Sequence, residues 1–124
     1  MAEVLITTPA QVEQRLRTLS HEIDEAHNDL VASEHNYYSV KSEYEIKVAE
    51  TRIKLSNESK PNGKNYTVDE REALAVVINK DLHKAMGIAE AIVRASRANS
   101  ARLRVQVDLA RSVGSNVRSS MEAL

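Results

Sequence analysis

The chain has no cysteine, tryptophan or phenylalanine, only two prolines and three glycines, and no long apolar run. Without cysteine there is no disulfide, no thiolate metal site and no cysteine nucleophile. Without large aromatics beyond four tyrosines, the usual filling of a compact globular centre is missing. The glycines Gly63, Gly87 and Gly114 are too dispersed for a phosphate-cradling loop, and no serine stands in a nucleophile elbow. His21, His27, His35 and His83 never fall in a His-x-x-x-His or Glu-x-x-His spacing, so no metal site is expected. No enzyme activity and no cofactor are expected. The opening residues Met1 to Pro9 carry no basic leader, and no later stretch approaches the roughly 20 apolar residues of a membrane span. The expectation is a cytoplasmic chain without membrane contact.

What is present is helix-forming. The 124 residues are 42% hydrophobic, supplied mostly by Ala, Val, Leu and Ile, with a formal net charge of −1. That is enough for one domain built on thin helix-to-helix seams. Thr8 before Pro9 reads as an N-cap followed by proline at the first helical position. The next proline is Pro61, inside the polar stretch Ser56 to Tyr66, whose Pro61-Asn62-Gly63 core marks a loop. Thr67-Val68-Asp69-Glu70 is a capping-box pattern that opens a second helix. The spacing therefore predicts a helix over 9–56, a loop over 57–66 and a helix over 67–121. The fold class is all-α, a long antiparallel helical hairpin with coiled-coil-like arms of ~70–80 Å at 1.5 Å per residue.

Both arms carry an alternating four-three apolar spacing. In the first it runs Val12, Leu16, Leu19, Ile23, Ala26, Leu30, Ser33, Tyr37, Val40, Tyr44. In the second it includes Leu82, Met86, Val93, Leu103, Val107, Val117 and Met121, with small residues Ala89, Ser96, Ser100, Ala110 and Gly114 that permit close approach. Gly87 and Gly114 are the expected bends. Off this seam lie Ile46, Ile53, Leu74, Val77, Ile78, Ile88, Ile92 and Val105, a second apolar edge that one partner helix cannot cover. Self-association into a bundle or ring is expected, with Leu82, Met86, Val93, Leu103, Val107, Val117 and Met121 as its seam.

Charge is unevenly placed. Residues 12–50 hold nine acids against four bases, whereas residues 84–118 hold seven bases against Glu90 and Asp108. Arg97, Arg104, Arg111 and Arg118 recur every seven residues, a row on one slowly drifting helix face, with Arg94 and Arg102 beside it. Pairing the arms about the loop sets residue i near residue 123 − i. Arg94 then approaches Asp29, and Arg97 comes within reach of Glu22, Glu25 or Asp29. Arg104 faces Leu19, Arg111 faces Val12, and Arg118 projects past the first helix, where acids are sparse. Arginine binds phosphate through a planar donor fork and stacks on exposed bases, so Arg102, Arg104, Arg111 and Arg118 form a candidate nucleic-acid site, with Lys60 and Lys64 in the loop as further contacts. Tyr37, Tyr38 and Tyr44, flanked by Lys41 and Lys47, could stack on bases, but Tyr37 and Tyr44 sit on the seam.

The order of a Lys/Tyr/Glu-rich helix, a glycine-containing polar loop and Val77-Ile78-Asn79-Lys80-Asp81-Leu82 resembles the phage recombination mediator family UvsY. So does the closing Arg102-Leu103-Arg104-Val105-Gln106-Val107-Asp108-Leu109-Ala110-Arg111. The resemblance spans residues 35–118 and is one of residue classes, without that family's large aromatics in the second half. It implies a small helical protein in the host cytoplasm that assembles into a ring, binds single-stranded DNA and works beside recombination proteins. The other reading is a protein-interaction or scaffolding module, whose arginines form interhelical ion pairs and whose apolar edge engages another chain without nucleic acid.

Overall fold

The computed structural model describes residues 8–123. It is an all-α helical hairpin of three helices. Helix α1 spans Pro9–Ser56, α2 spans Val68–Ile78 and α3 spans Lys80–Glu122. Among the described residues there is no strand, only an isolated antiparallel bridge between Ser59 and Asn65 in the loop. Both expected caps are formed. Gln11 N–H donates to Thr8 Oγ1 at 3.3 Å while Thr8 N–H donates to Gln11 Oε1 at 3.2 Å, and Thr67 and Glu70 make the same reciprocal pair at 3.2 Å each. Each pair satisfies two helix-terminal donors that would otherwise lack acceptors.

The second arm is two helices, not the single one that the sequence predicts. α2 ends at Asn79, whose Nδ2 donates to the Ala75 carbonyl at 2.8 Å and to Thr51 Oγ1 on α1 at 2.9 Å. Asparagine competes with the helix for its own backbone acceptors, and here the competition is reinforced from the neighbouring helix. Gly87 and Gly114, the expected bends, lie inside the unbroken helix α3.

The chain divides into two compact units. One comprises Met1–Val31 with Ala95–Leu124, and the other comprises Ala32–Arg94. The first packs around Leu19 and Leu103, 0% and 2% exposed, with Ala26 and Ala110 beside them and Leu16, Ile23 and Val107 against the cluster. The pairing follows the expected register to within three residues, since Arg15 reaches Gln106 and Val12 meets Gly114. The second unit buries Val48, Leu55, Ala75, Ala89 and Val93, with Tyr44, Leu74, Leu82 and Met86 half-buried. In α1 the inward positions here are Val40, Tyr44, Val48, Thr51 and Leu55. The extra four-residue step after Tyr44 is a stutter, which locally unwinds a heptad seam. It turns Lys47 and Lys54 outward and Val48 and Leu55 inward.

Of the residues expected to form an oligomer seam, Val93 and Leu103 are buried and Leu82, Met86, Val107 and Val117 half-buried already in the single chain, while Met121 is exposed. The off-seam residues behave as expected. Ile46, Ile53, Val77, Ile78, Ile88, Ile92 and Val105 are all more than half exposed, as is Leu109, while Leu74 is half-buried. No described helix is long and apolar enough to cross a membrane.

Candidate nucleic-acid interface

The placement of the arginines follows from the seam. In α3 the inward positions Ser96, Leu103, Ala110 and Val117 are each followed at once by an arginine, giving Arg97, Arg104, Arg111 and Arg118. In a heptad pair the residue just after such a position flanks the seam on a fixed side. The matching residues of α1, after Val12, Leu19 and Ala26, are Glu13, Ser20 and His27. The row therefore borders one edge of the helix pair. Arg104 lines a recess with Asp24, His27, Leu30 and Ser100, and Arg111 and Arg118 line another with Pro9, Val12, Glu13, Leu16 and Gly114.

The opposite edge has different chemistry. Arg15, Glu22, Glu25, Asp29, Asn99, Arg102 and Gln106 share a polar groove. Arg15 donates to Gln106 Oε1 at 3.2 Å and Arg102 to Asn99 Oδ1 at 2.8 Å. Three carboxylates meet two guanidiniums there, so that groove is not a positive surface. Arg102, expected in the binding set, belongs to this groove.

Engagement separates the remaining cations. Among the described residues Arg104, Arg111 and Arg118 are exposed and have no acidic side chain within ion-pair distance. Glu13, the acid beside Arg111 and Arg118, is held by Arg17 at 2.6 Å one turn along α1. Arg94 pairs with Glu90 at 2.6 Å within its own helix, not with Asp29. An acid four residues before an arginine is a ready partner on any helix, and it requires no second element. Arg97 is also engaged.

The loop lysines split. Lys60 Nζ lies 2.6 Å from Glu70 Oε1 and 6.0 Å from the centre of the Tyr66 ring, and its backbone closes the turn by accepting from Gly63 N–H at 2.9 Å. Gly63 adopts φ +80°, a conformation open to glycine at little cost. The Lys60 ammonium and the Thr67 amide hold the Glu70 carboxyl below its ordinary carboxylate range. Lys60 thus braces the start of α2. Lys64 is exposed, and its backbone N–H donates to Asn62 Oδ1 at 3.0 Å. Of the tyrosines, Tyr37 and Tyr44 are half-buried, Tyr44 against His83 at 5.3 Å between rings, and Tyr38 is 58% exposed. No group of three or more His, Asp or Glu among the described residues could hold a metal ion.

Sequence reasoning missed the floor of the recess beside Arg111 and Arg118. Its signal was available, since Gly114 occupies a seam position opposite the β-branched Val12. No protein-family model, curated protein or solved structure matches this chain.

Proposed function

We propose that this chain is a non-enzymatic, self-associating accessory protein of DNA recombination or replication that binds single-stranded DNA along Arg104, Arg111 and Arg118. One observation carries the reading: three exposed guanidiniums stand in a row on one edge of a helix pair, and no carboxylate among the described residues pairs with any of them. At 1.5 Å per residue they are spaced about 10 Å apart, so three of them follow a strand for about 20 Å. Three phosphate contacts give weak, salt-sensitive binding, and several copies of the chain would multiply them on one strand. The resemblance to UvsY mediators points the same way. A second reading has its own support. Within the first unit the exposed Val105 and Leu109 suit a protein partner, and an interaction module would use them without DNA.

The test is fluorescence anisotropy on a labelled single-stranded oligonucleotide at low salt, with light scattering on the same samples. Binding should weaken with salt at a log–log slope of about −2 per chain, from ~0.7 for each of three phosphates. Arg104→Glu with Arg111→Glu should abolish it while helicity and particle mass persist. Wild-type protein that binds no oligonucleotide at low salt would leave only the interaction module.

A further inference from the structure

We propose that the recess between the start of α1 and the last third of α3 is a base pocket, which takes the face of one unpaired nucleobase while Arg111 and Arg118 hold its phosphates. The inference rests on the reading of the arginine row as a single-strand site and adds what the row alone does not supply, a reason to prefer unpaired bases. The recess is about 270 Å³ and is lined by Pro9, Val12, Glu13, Leu16, Arg111, Gly114 and Arg118. That is just under the ~300–1,000 Å³ of pockets for drug-sized ligands, and it suits a single ring system.

Its two surfaces ask for two chemistries in one ligand. Leu16 and the edge of Val12 give an apolar floor, and Gly114, buried against Val12, lets α1 and α3 pack closely beneath it. The rim carries two guanidiniums that no described carboxylate pairs with, groups that grip phosphate through a planar fork and stack on ring faces. An inorganic anion would leave the floor unused. A duplex presents phosphates but keeps its base faces inside the stack. A nucleotide in a single strand offers both an exposed ring and a phosphate on either side, and base stacking of this kind tolerates any sequence.

Glu13 sets the strength of the pocket. Its carboxylate stands on the same rim and is balanced by Arg17 at 2.6 Å. A phosphate arriving at Arg111 must approach that negative charge. Glu13→Gln therefore removes a repulsion and releases the Arg17 guanidinium, so it should tighten binding, whereas a merely structural residue would leave binding unchanged or weaker.

The experiment compares four probes on the full-length protein at low salt: a mixed-sequence single strand of about 12 nucleotides, within the range that one small binding fold covers, an abasic strand of equal length, the corresponding duplex and an acidic peptide. The expected result is a single strand bound about tenfold more tightly than the abasic strand or the duplex, in line with the contribution of one stacked base. Arg118→Gln should reduce that preference toward unity, Glu13→Gln should tighten single-strand binding severalfold, and the peptide should not compete. Equal affinity for the single and abasic strands would overturn the base pocket and leave the phosphate row standing. Displacement by the acidic peptide would overturn it in favour of a protein ligand, and failure to bind any oligonucleotide would remove the row and the pocket together.

Discussion

Gly87 and Gly114 both lie inside α3, yet only at Gly87 should replacement with alanine raise stability. Alanine is favoured over glycine in a helix interior by about 1 kcal/mol, chiefly because glycine loses more backbone freedom on folding. At Gly87 a Cβ meets no heavy atom within 4 Å, so the whole gain is available. For a chain of this length about 1 kcal/mol corresponds to roughly 4 °C in Tm. At Gly114 the new Cβ would sit 2.8 Å from Val12 Cγ1, well inside contact distance. Val12 is β-branched, 8% exposed and stiff at χ1, so it relieves the clash only by shifting the backbone of α1 or α3. Overpacking of this kind costs about 1–3 kcal/mol, which cancels or exceeds the helix gain. Gly114→Ala should therefore leave Tm unchanged or lower it by up to roughly 8 °C. The double variant Gly114→Ala with Val12→Ala should show a positive coupling, because the second change removes the methyl that the first one strikes. Thermal denaturation followed by circular dichroism at about 222 nm reads wild type, Gly87→Ala, Gly114→Ala, Val12→Ala and the double variant. Equal stabilisation by alanine at both glycines would refute the close packing of α1 on α3 at this point.

Leu103→Ala, which empties a side chain 2% exposed at the centre of the first unit, should cost about 2–5 kcal/mol. Against a total of roughly 5–15 kcal/mol that is a large loss, and a urea midpoint close to wild type would contradict the core position of Leu103. The Glu70 carboxyl is held below its ordinary range, so its link to Lys60 and Thr67 stabilises the fold at pH values above the unfolded carboxylate pKa and is lost as pH falls through the lower folded value. Glu70→Gln should flatten the acid limb of a Tm-against-pH curve below about pH 4.5, the ordinary value for this group; an unchanged limb would show that the loop contact carries no linkage.

The hairpin was legible because its signals are local. Thr8-Pro9, Pro61-Asn62-Gly63 and the Thr67–Glu70 box each act within four residues, and the four-three spacing repeats often enough to set the pairing register to within three residues. The break at Asn79 was not legible, because it follows the apolar Val76-Val77-Ile78 and depends on Thr51, 28 residues earlier in the chain. The stutter after Tyr44 escaped for a related reason. Val48 and Leu55 become inward only once Lys47 and Lys54 turn out, and a strict heptad places those lysines on the seam. At the candidate site the seven-residue period revealed the row, but not its division. Arg102 lies one residue before a core position and Arg104 one after it, and that offset sends one to a groove with three carboxylates and the other to the opposite edge.

Lysine is confined to one of the two units, which also holds Arg52, Arg71 and Arg94, and this bears on where a ligand would bind. All seven lysines, Lys41, Lys47, Lys54, Lys60, Lys64, Lys80 and Lys84, fall in the unit Ala32–Arg94, while Arg15, Arg17, Arg97, Arg102, Arg104, Arg111 and Arg118 are the only basic side chains of the other. A positive surface needed only for solubility has no use for this separation, because ammonium and guanidinium groups serve that purpose alike. Directional binding does distinguish them, since a fixed planar fork can hold a phosphate in one orientation and a flexible ammonium cannot. Within the arginine unit the inward-facing polar partners account for Arg15 and Arg102, and Glu13 accounts for Arg17. Arg104, Arg111 and Arg118 are left with geometry and charge that no described carboxylate uses. Since the same unit holds as many described carboxylates as arginines, it gains no general attraction for polyanions, and any selectivity has to come from the local row and the recess beside it.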